Sequence, residues 1–577
     1  MAQSQIRYPF LIYKFLFITS LLILLAGLSS CSTDEPVDEG EQVLAAVGSY
    51  DITRTHFLNE LQRFNARAGY AMNLSPDVME AVLNQRLNRY VIVTYAMDQG
   101  WHNEPDVNHT REMIERKALM EEFERRFIID ELTISENDLR ELFYRANTSV
   151  RASHLFASNR HEADSLFALL EQGHDFEALA AQVFQNPELA RNGGDLGFFT
   201  LDDMDISFED QAFRMAVGDI SAPVQTSRGF SIIKVTDIVE TPVITETQFA
   251  QRRNELAAIA RDQQAELAVR NHLRSTMDAF DYDPALMQKL WDDVRNDPDA
   301  YLEFNPELVR LEVRLSPEVA GQTLISYGDF VFTTDDFLRE AFFTTFSQRR
   351  QARNVHDFTG QVKAMAYRAM AIAEVRNHPN FNARYVQRTA DETFYNYLNQ
   401  MFDEYLEAQV QVGEDEIYAE FHRNPAQYVE PLQLDMAEIV VTSEEAADQA
   451  WAALEAGREF NDVLRQFTAD PAGRENMGRL GFIPIQQFGM MSPSLVNIQP
   501  GEYAGPFQIT GSRFHIFKCH GRIEPRQLTF EEAIPMVERA LRSEAKEQLK
   551  IRKIGEARER FGAKVYTDRL LSIPIQL

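Results

Sequence analysis

NGGDLGFF, Asn192–Phe199, places three glycines within five residues and follows them with two adjacent aromatics. Paired glycines permit a tight reversal that a side chain would block. The Leu-Phe-Phe set then needs either a core or the wall of a pocket. The pattern returns once, as RLGFI at Arg479–Ile483, with Gly197 and Gly481 lying 284 residues apart. Moving outward, RGFSIIKV matches SRFHIFKC, and Phe230 and Phe514 are again 284 apart. ISENDLRELFYRA matches VGEDEIYAEFHRN, with Leu139 and Ile417 at an offset of 278. SYDITRTHFLNEL matches DFVFTTDDFLREA, where Thr53 and Thr333, and Phe57 and Phe337, are 280 apart. A nearly constant offset at four places reads as two copies of one two-part unit.

The first part of each copy is expected to begin with helices. Met79, Leu83, Leu87, Tyr90 and Val91 fall on one helical face, and Gly100 closes that helix. A helix follows over 111–132, and Ser135 with Asp138 caps a third. The second copy predicts helices over 335–350, 356–376 and 391–408. The second part of each copy reads β-α-α-turn-α-β-β in some ninety residues, a small α+β unit. Charged helices over 246–280 and 529–561 follow, and AKVYTDRLL reads as a strand or extended tail.

The 577 residues suggest about four domains, and 45% hydrophobic content with 40 phenylalanines suffices for several cores. Arg7 and Lys14, the apolar run Phe15–Leu28 and the small residues before Cys31 make a secretory signal. GLSSC resembles the bacterial lipobox, which implies cleavage before Cys31 and a diacylglycerol on its sulfur. An uncleaved membrane anchor is the alternative. No other segment reaches the roughly 18 apolar residues of a spanning helix. Ser32–Glu41 reads as an acidic solvated linker, and such a stretch after the lipid cysteine also resembles a surface-export signal. The signal carries two positive charges, so its loss takes the formal net charge from −31 to −33. A body this acidic excludes non-specific nucleic-acid binding. Only Cys519 remains besides Cys31, so no internal disulfide is expected, and no Cys/His spacing suggests a zinc site. GxSxG, GxxxxGK and HExxH motifs are absent, and neither a cofactor nor a metal is expected.

The set ASHLFAS, the Asn-Pro at Asn186, GGDLGFF, FEDQAFRM and GDISAPVQTSRGFSIIKV resembles parvulin-type peptidyl-prolyl isomerases. AVLNQRLNRYVIVTYAMDQGW and ISENDLRELFYRA resemble the chaperone parts of SurA-like and PrsA-like exported foldases. The resemblance implies an α+β multidomain protein in which helical chaperone-like domains alternate with two parvulin-like α+β domains as a duplicated unit. The division it implies is signal peptide 1–30, acidic linker 31–42, helical domain 43–148, parvulin-like domain 149–240, helical connector 241–320, second helical domain 321–430, degenerate parvulin-like domain 431–525 and C-terminal helix and tail 526–577. The tail helix is expected to fold back on the N-terminal helices.

By the same resemblance Leu196, Met204 and Phe208 grip a proline ring. The family's polar trio maps onto His154, Asn186 and, in place of a histidine, Ser231. In the second copy Glu438 replaces the first histidine, Asp470 fits the acidic slot and His515 the last, and Leu480 is kept. FGMMSPS blurs the methionine, and the phenylalanine slot is polar. Turning a prolyl bond breaks nothing covalent, but it crosses a barrier of roughly 18–20 kcal/mol set by amide resonance. A site that prefers the twisted amide gains tenfold in rate for each ~1.4 kcal/mol of preference. The implied activity is X-Pro isomerisation in unfolded or nascent exported polypeptides, mainly in the first parvulin-like domain, on the periplasmic side of the cell envelope with the outer membrane as anchor. Two alternatives stand beside it: a holdase whose parvulin folds only bind peptides, and a structural docking lipoprotein. Taken alone, His154 and His515 also read as core histidines, and Leu196, Met204 and Phe208 as plain core.

Overall fold

A computed structural model describes residues 41–68, 75–240, 245–441, 443–468, 473, 476–510 and 513–573. The signal segment, Cys31 and Asp470 lie outside the described residues. Those described fall into two units, one drawn from 41–46, 51–83 and 565–573, the other from 47–50 and 84–564.

The first copy does not begin helical. Strands β1 (Val43–Val47) and β2 (Tyr50–Thr53) precede α1 (Arg54–Ala68) and α2 (Pro76–Asp98). The second copy repeats this with β7 (Thr323–Tyr327) and β8 (Phe330–Thr333). The reason is a two-residue turn, Gly48-Ser49 or Gly328-Asp329, whose leading glycine has φ +56° in both copies. Such turns match the twist of a hairpin. In the small unit Leu44, Ile52, Phe57, Leu61, Met79 and Leu83 are buried. Its C-terminal segment closes on β1, Tyr566 N–H donating to the Leu44 carbonyl (2.8 Å) and Arg569 to that of Val43 (2.7 Å). That segment ends in a short helix, Thr567–Leu571, not a continuous strand or extended tail.

In the large unit α2 ends at Gly100, φ +78°. Next come α3 (Pro105–Glu124), its π turn Arg125–Ile129, and α4 (Glu136–Arg145). The helix expected from Arg111 starts earlier because Pro105 sits at its first turn, where no N–H is needed. Ser135 and Asp138 form the reciprocal cap of α4. Then follow β3 (Thr148–Ala157), α5 (Arg160–Glu171), α6 (Phe176–Val183), α7 (Pro187–Arg191), β4 (Asp195–Phe199), α8 (Ile206–Ala212), β5 (Val224–Thr226) and β6 (Gly229–Glu240). The long α9 (Glu246–Asp278), α10 (Pro284–Asn296) and α11 (Pro298–Leu302) lead to β7 and β8. Beyond β8 lie α12 (Thr334–Phe342), α13 (Phe346–Arg349), α14 (Val355–Asn377), α15 (Ala383–Glu407) and α16 (Glu414–Arg423). The helix expected over 335–350 is two helices, because Thr345 forms its own capping box with Gln348. Next are β9 (Val429–Glu430), β10 (Gln433–Val441), α17 (Glu444–Glu455), α18 (Phe460–Phe467), β11 (Arg479–Pro484), β12 (Tyr503–Thr510) and β13 (Arg513–Ile523), then the helix Phe530–Arg560.

Helices of both copies share one core. Ala118, Leu119 and Phe123 of α3 cluster with Trp291, Phe332, Phe337, Phe358 and Val386. Arg86 and Arg89 of α2 both pair with Glu392 of α15. The C-terminal helix folds back on α2, where Arg558 donates to Asn84 and Asn88 and Arg560 pairs with Asp98. The segment after α9 pairs with the hairpin of the second copy through mutual Asp281–Ser326 backbone hydrogen bonds of 3.0 and 2.9 Å.

The two four-stranded antiparallel sheets have one topology, β4-β3-β6-β5 and β11-β10-β13-β12. The segment read as a glycine turn is a turn plus an edge strand. Gly193 and Gly194, both left-handed (φ +74° and +73°), reverse the chain so that Asp195–Phe199 runs antiparallel to β3.

Candidate functional site

The site is assembled on β3 and β6, whose register sets His154 opposite Ile233 and Phe156 opposite Ser231. This diagonal brings the His154 Nδ1 to 3.3 Å from the Ser231 Oγ. The imidazole also packs on Phe184 at the end of α6 (centroids 5.2 Å) and meets Phe208 of α8 edge-on (6.1 Å). Burial drives its pKa down to about 4, because a charged ring loses hydration there. His154 is accordingly a neutral imidazole at physiological pH, suited to polar contact with an amide.

Leu196 of β4 and Met204, before α8, pack against the cluster that holds Phe199, Phe208 and Ile233. Leu196 and Met204 are half-buried, and Phe208 is 4% exposed. The glycine turn makes this possible. A Cβ on Gly194 would stand 2.2 Å from the His154 carbonyl oxygen, which instead accepts nothing bulkier than a bare backbone at that approach. The Gly194 carbonyl in turn accepts from the His154 N–H (2.9 Å). Asp195 anchors the strand that follows, accepting from Gly197 N–H (3.0 Å) and from Arg151. Asn186 stands at the head of α7, where its carbonyl accepts from Ala190 N–H.

Two features at this site were missed in the sequence. Phe184 closes one side of the imidazole. Glu209, the acid of FEDQAFRM, is 2% exposed and accepts from Met204 N–H (2.7 Å) and Asp202 N–H (3.1 Å). Burial raises its pKa to about 7. An acidic residue directly after Phe208 was the available signal, but its inward aim depends on the loop it meets.

The second sheet keeps the frame and changes the contents. Gly478 occupies the place of Gly194: its added Cβ would lie 2.2 Å from the Glu438 carbonyl oxygen, and its own carbonyl accepts from Glu438 N–H (2.9 Å). Glu438 Oε2 and His515 Nδ1 stand 3.0 Å apart, on the same β10–β13 diagonal as His154 and Ser231. Leu480 is 36% exposed on edge strand β11, unlike its packed counterpart Leu196. Phe488 is buried and meets Phe517 edge-on at 5.7 Å, filling the place where a methionine had been sought. Met490 is 98% exposed. Among the described residues no group of His, Cys, Asp or Glu is placed to hold a metal ion, and no helix is long and apolar enough to cross a membrane.

Known proteins match these two regions. Models of the PPIC-type peptidyl-prolyl isomerase domain match residues 141–238 and 412–535. The foldase protein PrsA of Oceanobacillus iheyensis is 30% identical over 237 residues, covering 39% of this chain and 76% of that protein. The foldase protein PrsA of Geobacillus kaustophilus is 29% identical over 249 residues, covering 41% of this chain and 84% of that protein. The solution structure of the parvulin of Nitrosopumilus maritimus is 33% identical and covers 16% of this chain and 97% of its own, with a TM-score of 0.15. The relatives thus span a single foldase length, whereas the sheet topology and both domain matches occur twice here. The chain belongs to the PrsA foldase family and is a parvulin-type peptidyl-prolyl cis-trans isomerase with two such domains in tandem.

Proposed function

We propose that the parvulin-like domain at 149–240 carries the catalysis and that the one at 431–525 holds peptide without turning it. Leu196, Met204 and Phe208 take the proline ring of an unfolded polypeptide, while His154, Ser231 and Asn186 line the amide. An apolar wall favours the twisted amide, which has less charge separation than the planar one. The neutral imidazole beside it stabilises the changing carbonyl or nitrogen without proton transfer. The observation that carries this reading is the His154 ring between Phe184 and Phe208, its Nδ1 at 3.3 Å from Ser231. In the second domain Leu480, Asp470 and His515 are the corresponding candidates by sequence, and the Glu438–His515 pair occupies the polar centre.

An isomerase assay on a proline-containing tetrapeptide tests the assignment. His154→Ala and Met204→Ala each lower kcat/KM at least tenfold, and His515→Ala leaves it within twofold. Loss of activity with His515→Ala but not with His154→Ala would reverse the assignment. The burial of Phe208 and the serine at position 231 favour a second reading, a holdase with two peptide-binding folds. Suppression of client aggregation by a chain with no isomerase activity at all would establish that reading in place of the first.

The proposal includes export, cleavage before Cys31 and a lipid tether on its sulfur, which together set the foldase on the outer membrane facing the periplasm where chains emerge. Prolyl isomerisation is slow enough to become a rate-limiting folding step. Cys31→Ala should release the protein from the membrane fraction and abolish fatty-acid labelling. Labelling retained in that variant would place the anchor elsewhere.

A further inference from the structure

The turn that presents Met204 is held by carboxylates. Asp203 accepts from Thr200 N–H and Oγ, at 2.7 and 2.8 Å. Asp205 accepts from Ser207 N–H and Ser227 N–H and pairs with Arg270 of α9. Glu209 reaches back from α8 to the backbone N–H groups of Met204 and Asp202. Asp202 is a non-glycine residue in the left-handed region, φ +69°, a conformation that persists only where the surroundings over-determine it.

Glu209 differs from the other two in its surroundings. It forms a wall of a cavity of about 110 Å³ between α4, α8 and α9, lined also by Asp138, Glu141, Arg145, Asp210, Arg214 and Gln263. The charged groups facing it from α4 are thus Asp138, Glu141 and Arg145. Arg145 gives its guanidinium to Glu141 and Asp210. From its own helix and the residues after it come Asp210 and Arg214, themselves paired. The turn adds Asp202 and Asp203, and α9 presents neutral Gln263 beyond the Arg270–Asp205 pair. The carboxylate is stabilised by backbone N–H groups, with the nearby cations engaged by other acids.

We propose that Glu209 is a positioning residue for proline recognition, its carboxylate holding the Asp202–Met204 turn in the shape that sets Met204 against the substrate ring. This rests on the reading of Met204 as a substrate-gripping residue. The ionised carboxylate accepts from both N–H groups at once. A protonated carboxyl accepts more weakly at its hydroxyl oxygen, so one of the two N–H groups loses much of its hydrogen bond, and the turn loosens. Burial raises the Glu209 pKa to about 7, so recognition tightens as pH rises through neutrality. His154, held near 4, does not titrate in that window.

The test is tetrapeptide isomerisation by the full chain between pH 5.5 and 8.5, in wild type, Glu209→Gln, Glu209→Asp and Met204→Ala. In wild type KM falls about fivefold as pH rises through 7, with kcat within twofold. Glu209→Gln shows a KM about five times the wild-type value at pH 8 and no pH dependence, and Glu209→Asp recovers part of both. Wild-type KM and profile in Glu209→Gln, with activity lost in Met204→Ala, would overturn the inference and leave the Met204 reading standing. Unchanged KM and kcat in Met204→Ala would overturn the Met204 reading, and this inference with it. Should Glu209→Gln not fold, the amide resonance of Met204 in wild-type chain labelled at methionine nitrogen decides: a shift with a midpoint near pH 7 supports the inference, and a flat titration overturns it.

Discussion

The two parvulin-like sheets are one backbone filled in two ways. At the glycine turn they are interchangeable: Gly194 and Gly478 each lie against the carbonyl of the strand residue they flank, at the same 2.2 Å for an added Cβ. One layer away they diverge. His154 faces Ser231 in the first sheet and Glu438 faces His515 in the second, each pair 77 residues apart. The ion pair between central and edge strand is reversed, Arg151 with Asp195 against Asp435 with Arg479. Phe184, which packs on His154, has Thr468 at the same offset, bonded instead to the Val440 backbone. Position 209 becomes Pro493, which removes the carboxylate that holds the first turn. Backbone approach tolerates no alternative residue, whereas a diagonal side-chain pair can be exchanged or inverted as a set.

The largest expected effect tests the shared frame. Gly194→Ala and Gly478→Ala should each destabilise their own sheet by about 4 kcal/mol, since a Cβ meets backbone and φ is positive. Amide exchange in β3 or β10, respectively, reads it out. A small effect at Gly478 alone would show that the second frame has relaxed.

Next is pH, which acts on the first sheet through two buried groups. His154 titrates near 4 when folded and near 6.5 when free. Its neutral form therefore stabilises the first sheet fully above pH 6.5, by up to about 3 kcal/mol, and this is lost as pH falls toward 4. Glu209 acts with the opposite sign: its raised pKa makes the carboxylate oppose folding above about pH 7, an opposition relieved as pH falls toward 4.5. Exchange of β3 and β6 amides in wild type and His154→Gln, at pH 6.5 and 4.5, isolates the histidine part. A difference that does not change with pH would refute it.

A smaller effect is catalytic. His154→Ala should lower kcat/KM about thirtyfold, or about 2 kcal/mol at the transition state, and Ser231→Ala less. Glu438→His combined with His515→Ser restores the first sheet's pair in the second. With Leu480 exposed and Pro493 in the turn, no activity is expected from that exchange. Activity gained there would show that the polar pair alone separates the copies. Smallest is the inverted ion pair. Arg151→Asp should cost about 1 kcal/mol in thermal unfolding of the first sheet and Asp195→Arg should recover most of it, because the pair is partly exposed.

Much of this fold was legible in local sequence. The two copies, the capped start of α4 at Ser135, the end of α2 at Gly100 and the sheet strands around His154 and Ser231 all follow from short-range signals. The hairpins at Gly48 and Gly328 were carried by a turn of only two residues, and the helical periodicity after them dominated the reading. Edge strand β4 was hidden because glycines interrupt its alternation. The candidate site residues came from the family resemblance, and the partner of each was set only by the fold.

Sequence by itself determined where the backbone turns, where helices start and stop, and that the unit occurs twice. Those choices depend on glycine, proline and caps acting over a few residues. Only the tertiary structure decided that helices of both copies share one core, that the segment after α9 pairs with the hairpin of the second copy, and that Glu209 points inward to Met204. Those outcomes depend on burial and register between segments far apart in the chain, where a side chain's charge and partner are set by what packs around it.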